Sequence, residues 1–94
     1  MANFGSVSVG TATAVSIVTS NTRRHSLIIT NIGISSAFLG DTSSVTSANG
    51  VMLQSGGALA EDSGGARMYQ GEVYAIAGSE ATTLTYWQRI RGSG

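Results

Sequence analysis

The sequence predicts an all-β fold, a small antiparallel β-sandwich or barrel of about seven to eight short strands. Three observations carry this expectation. Thirteen glycines, with abundant Ser and Thr, favour turns and strands over helices. Short apolar runs alternate with Gly, Asn and Asp turn signals at a spacing of roughly 8–12 residues. No segment reads as a helix, and parallel strands would need helical crossovers.

The 94 residues make one domain. Residues 1–12 are expected to form a flexible N-terminal arm, 13–91 a single β-sandwich and 92–94 a tail. Thr13 to Thr19 places Val15 and Ile17 on one face and Ala14, Ser16 and Val18 on the other, the period of a half-buried strand. Ser26 to Asn31 contains Leu27, Ile28 and Ile29 in succession, which suits a central strand covered on both faces. Asn31-Ile32-Gly33 reads as a turn. Ala37-Phe38-Leu39 and Val51-Met52-Leu53 read as two short strands separated by a polar loop, the second closed by Gly56-Gly57.

Gln54 to Ala66 is rich in Gly and Ser and reads as a mobile loop, after which Arg67 to Gln70 is expected to pair with Glu72 to Ala77. The last strand, Thr82 to Ile90, is the clearest. Thr83, Thr85, Trp87 and Arg89 alternate there with Leu84, Tyr86 and Ile90, so both faces carry apolar groups. One face closes a core and the other calls for a partner.

Composition narrows the function. Charged residues are 11% of the chain, against about 25% in an average domain, and lysine is absent. Five Arg balance Asp41, Glu61, Asp62, Glu72 and Glu80, so no long-range field draws in nucleic acid or an acidic membrane. No stretch has the length or apolarity of a membrane span, and Met1 to Ser20 lacks the continuous apolar core of a signal peptide. Without cysteine there are no disulfides and no thiolate metal sites. Soluble monomers commonly blunt their sheet edges with Lys or Pro, and this chain has neither. Self-association follows as an expectation.

No catalytic constellation emerges, and neither a metal nor a cofactor is expected. His25 stands alone beside Arg23 and Arg24, too few ligands for a metal, and reads as a surface histidine at a strand start. Serines abound, but there is no Gly-x-Ser-x-Gly elbow. The acidic residues fall in expected loops and strand ends, where they serve as turn formers and solvated charges. The glycines at 56, 57, 64 and 65 do not form a phosphate-binding motif. Tyr74 and Tyr86 sit among apolar neighbours and read as core, with their hydroxyls at the rim. Trp87, Arg89, Tyr69, Arg23 and Arg24 are the candidate subunit or capsid contacts, because interfaces enrich Trp, Tyr and Arg.

One pattern spans about Arg23 to Tyr86. Its members are Arg24, Leu27-Ile28-Ile29, Asn31, Leu39-Gly40, Val45-Thr46-Ser47-Ala48-Asn49-Gly50, Leu53, Gly56 and Val73-Tyr74-Ala75-Ile76. It resembles a group of small tailed-bacteriophage virion proteins. The resemblance implies a β-sandwich attached to the particle, most often as a capsid decoration or cement protein, sometimes as a head-fibre or tail accessory part. It carries over no catalytic residue. The expectation is therefore a non-enzymatic virion protein, made in the host cytoplasm, that sits as a trimer on the major capsid protein and stabilises the head. The rival expectation is a carbohydrate- or receptor-binding fibre or tail module using Tyr69, Trp87 and the Gly-rich loop.

Overall fold

The computed structural model describes residues 2–20, 24–62 and 71–90. It is all-β. Eight strands appear in the order β1 (Ala2–Val9), β2 (Val15–Val18), β3 (Arg24–Asn31), β4 (Ala37–Gly40), β5 (Val51–Leu53), β6 (Ala58–Asp62), β7 (Val73–Ala77) and β8 (Thr82–Ile90). They form two four-stranded sheets, β1-β8-β3-β6 and β2-β7-β4-β5, and every pairing is antiparallel.

The core lies between the sheets. Val9, Leu27, Ile29 and Leu84 face it from the first sheet, and Ile17, Val18, Leu39, Leu53, Val73 and Ala75 from the second. Three alanines and valines alternate along β7, where Val73, Ala75 and Ala77 are buried and Tyr74 and Ile76 are not.

Several expectations need correction. The segment expected to be a flexible arm is β1, paired along its whole length with β8 from Ala2↔Arg89 to Val9↔Thr82. Its alternation explains the pairing: Val7 and Val9 turn toward the core while Phe4, Ser6 and Ser8 stay exposed. Part of the expected Gln54 to Ala66 loop is β6, which pairs with β3 from Ala58↔Thr30 to Asp62↔Ser26. The central strand β3 is covered on one face only, since Ile28 is 42% exposed between buried Leu27 and Ile29. In β2 a register shift between Ser16 and Val18 buries Ile17 and Val18 together, which breaks the expected alternation. Tyr74 lies on the outer face of its sheet rather than in the core, whereas Tyr86 packs against the core as expected. Residues 67–70, expected to pair with 72–77, lie outside the described residues, as does the tail at 92–94.

Two polar side chains are buried at the strand ends of β3. Asn31, fully buried, uses its whole amide: Nδ2 donates to the carbonyls of Ser35 (2.7 Å) and Leu53 (2.9 Å), and Oδ1 accepts from Gly33 N–H (3.0 Å) and the Thr82 hydroxyl (2.8 Å). Gly33 is required here, because a Cβ would stand 1.9 Å from Thr82 Oγ1 and 2.6 Å from the Thr83 nitrogen. The Asn31 backbone is occupied too, donating to Gly57 C=O at 2.9 Å and accepting from Gly56 N–H at 2.8 Å. Those glycines belong to a turn closed by Gly57 N–H to Gln54 C=O at 2.8 Å, with Gly56 at φ 83°, the left-handed position that glycine fills without strain.

Arg24, at the other end of β3, is 1% exposed. Its Nε donates to Gln88 Oε1 at 2.8 Å, Nη1 to Gly71 C=O at 3.1 Å and Nη2 to Thr19 C=O at 2.6 Å. A register shift between Arg24 and Ser26 turns the side chain inward, next to Gln88 on β8.

Asn31→Ala removes the shared partner of two carbonyls, an N–H and a hydroxyl at a buried position. It is expected to lower unfolding stability by at least about 2 kcal/mol in a denaturant titration.

Candidate functional site

The outer face of the β1-β8-β3-β6 sheet brings together three exposed large apolar side chains, Phe4, Trp87 and Ile28. Cross-strand register aligns them. Phe4 on β1 pairs with Trp87 on β8, which pairs with Ile28 on β3, so the three side chains form one row across the sheet. Exposure falls inward from the edge: 80% for Phe4, 54% for Trp87 and 42% for Ile28. The next row, Ser6, Thr85 and Thr30, supplies hydroxyls only. An open groove of about 820 Å³ is lined by both rows together with Gly5 and Tyr86.

Electrically the groove is plain. Among the described residues no carboxylate, imidazole, amine or guanidinium lines it. What it can do is take up an apolar or aromatic surface and meet peptide groups with hydroxyls at its rim. Arg89 is exposed two residues along β8 from Trp87 and on the same face.

The structure thus brings together two of the expected contact residues, Trp87 and Arg89. It separates a third: Arg24 is buried by its bonds to Gln88, Thr19 and Gly71 and is not a surface contact, a correction to the sequence reading. Arg23 and Tyr69 lie outside the described residues. The sequence reading missed Phe4 and Ile28. Phe4 was detectable from the alternation Phe4, Ser6, Ser8 against Gly5, Val7, Val9, whereas Ile28 was hidden inside an unbroken apolar run.

The other sheet holds a smaller polar cluster on its outer face. Ser16 Oγ donates to Glu72 Oε2 at 2.7 Å, and the Tyr74 hydroxyl donates to Glu72 Oε1 at 3.2 Å. That hydrogen bond, with the carboxylate's charge beside it, raises the Tyr74 phenol above its ordinary value of 10.0. Among the described residues no group of three or more His, Cys, Asp and Glu is placed to hold a metal ion, and no helix is long and apolar enough to cross a membrane.

Two outcomes follow from these placements. The raised Tyr74 value means that the folded state favours the protonated phenol, so its contribution is present below pH 10.0 and is lost as pH climbs through the raised value. Ultraviolet titration of the tyrosinates is expected to show that Tyr74→Phe deletes a transition lying above the ordinary tyrosine range; deletion of an ordinary one refutes the Glu72 contact. Trp87→Ala, at an exposed position, is expected to shift unfolding stability by less than about 1 kcal/mol while weakening docking of this face by about 2–4 kcal/mol. Denaturant titration and a binding isotherm read the two effects separately.

Comparison with known protein families, curated proteins and solved structures finds no match to this chain.

Proposed function

We propose that this protein is a non-enzymatic structural component of a tailed-bacteriophage virion, a capsid decoration or cement protein that docks on the major capsid protein and stabilises the head. One observation carries the reading: the aligned row of Phe4, Trp87 and Ile28 on an open sheet face with no charge in its groove. Large apolar patches of this kind on a small chain mark interaction surfaces. The resemblance of the Arg23 to Tyr86 pattern to small virion proteins supplies the kind of particle.

Repeated contacts over a shell multiply a modest contact, since each copy adds binding to an already ordered array and many copies act together.

A second reading, a carbohydrate- or receptor-binding fibre or tail module, draws on Phe4 and Trp87 as adjacent exposed aromatics. The groove's polar complement is limited to hydroxyls, which weakens sugar recognition relative to apolar docking.

Particles lacking this protein are expected to assemble but to rupture at a lower temperature than wild type, because a ligand that binds only the intact lattice stabilises it by mass action. A heating series with release of packaged DNA as readout decides. Equal rupture temperatures with failed adsorption to cells would support the receptor-binding reading instead.

A further inference from the structure

The two sheets have four edges, and three are blunted. β5 has three residues, β2 has four and carries a register shift, and β6 has five and ends in Glu61-Asp62. β1 is different: eight residues, none charged, no proline, with β8 on one side and no strand on the other among the described residues.

The hydrogen-bond phase of that open edge follows from one bond. Ile32 N–H donates to Thr83 C=O at 3.0 Å, which makes 83, 85, 87 and 89 the β8 residues whose peptide groups point to β3. The alternate residues 82, 84, 86 and 88 therefore bond to β1, and their partners are Val9, Val7, Gly5 and Asn3. The peptide groups of Ala2, Phe4, Ser6 and Ser8 are left pointing outward from the edge.

We propose that this edge pairs with the same edge of a second copy, antiparallel about a two-fold axis normal to the sheet and passing by Gly5. In that register Ala2 faces Ser8 of the second copy and Phe4 faces its Ser6, so all four outward residues fall in hydrogen-bonded pairs, each exchanging two bonds. Side-chain parity agrees, since Phe4, Ser6 and Ser8 share the outer face and a two-fold normal to the sheet keeps outer faces together. No like charges meet in the pair. The two Phe4 rings become diagonal neighbours, which covers the most exposed large apolar side chain among the described residues and sets the two Ile28-Trp87-Phe4 rows on one continuous face, offset by two residues. The contact is self-complementary and closes at two copies rather than the expected three. It stands independently of the capsid reading.

Sedimentation of the isolated protein at tens of micromolar tests it. The expected species has twice the 9.6 kDa chain mass. Ser6→Pro removes an edge-facing N–H that β8 does not use, and is expected to weaken the pair by at least about tenfold with an unchanged β spectrum. Trp87→Ala is expected to leave the pair intact. Amide exchange decides even if Ser6→Pro fails to fold: the amides of Phe4, Ser6 and Ser8 should gain protection as concentration rises, out of step with those of Gly5 and Val7. A monomer throughout the range, a threefold mass, loss of association in Trp87→Ala alone, or unprotected Phe4, Ser6 and Ser8 amides in the associated species would each overturn the proposal.

Discussion

The inward placement of Asn31 governs the geometry of the first sheet. Its amide joins β3 to β8 through Thr82, to β5 through the Leu53 carbonyl, and to the following turn through Gly33 and Ser35. A slip of β3 by one residue would expose Asn31, bury Thr30 and strand four polar groups away from water. The bonds therefore fix more than stability. With Asn31 inward, Leu27 and Ile29 must also point inward and Ile28 outward, so the register of the core and the composition of the exposed Phe4-Trp87-Ile28 row are set together.

Arg24 does the corresponding task at the opposite end of β3. A guanidinium in a core this small would be costly without partners, and here it is held by Gln88, Thr19 and Gly71, drawing together β8, the segment after β2 and the segment before β7. The two polar nodes act across the gap between the sheets, where apolar contacts alone are not directional. The interior consists mostly of Val, Leu, Ile and Ala, so directional bonds at both ends of β3 help to define one packing among several of similar volume.

Much of the architecture was legible in the sequence. Antiparallel all-β organisation, the bounds of β8, the short strands β4 and β5 and the outward face of Trp87 and Arg89 follow from period-two alternation and turn residues. The failures share a cause: each depended on information from a distant residue. Ala2–Val9 carries only two valines toward the core, with Gly5 between polar and apolar neighbours, and its place is secured by β8, where Tyr86 lies over Gly5 with its hydroxyl 2.9 Å from where a Cβ would be. Leu27-Ile28-Ile29 carries no alternation, so only the absence of a covering layer reveals that Ile28 faces out. Arg24 reads as a surface cation because its local sequence gives no sign of the irregularity that turns it inward. The groove inherits this limit, since two of its three apolar members come from the strands that were misread.

The loop from Asp41 to Gly50 gives the molecule a front and a back. It folds over the second sheet and sets buried Val45 against Gly40, its Cβ 2.8 Å from the position a glycine Cβ would occupy, with Gly50 closing on Phe38 and Val45 from the side. Hydroxyls and amides of Thr42, Thr46 and Asn49 tie the loop to itself. The outer surface of that sheet around Gly40 and Phe38 is thereby covered from within the chain, while Met52 beside it and Phe4, Trp87 and Ile28 on the other sheet stay exposed. A partner held on the Phe4-Trp87-Ile28 side would therefore leave this loop, with the exposed hydroxyls of Thr42, Ser44 and Thr46, on the far side of the sandwich.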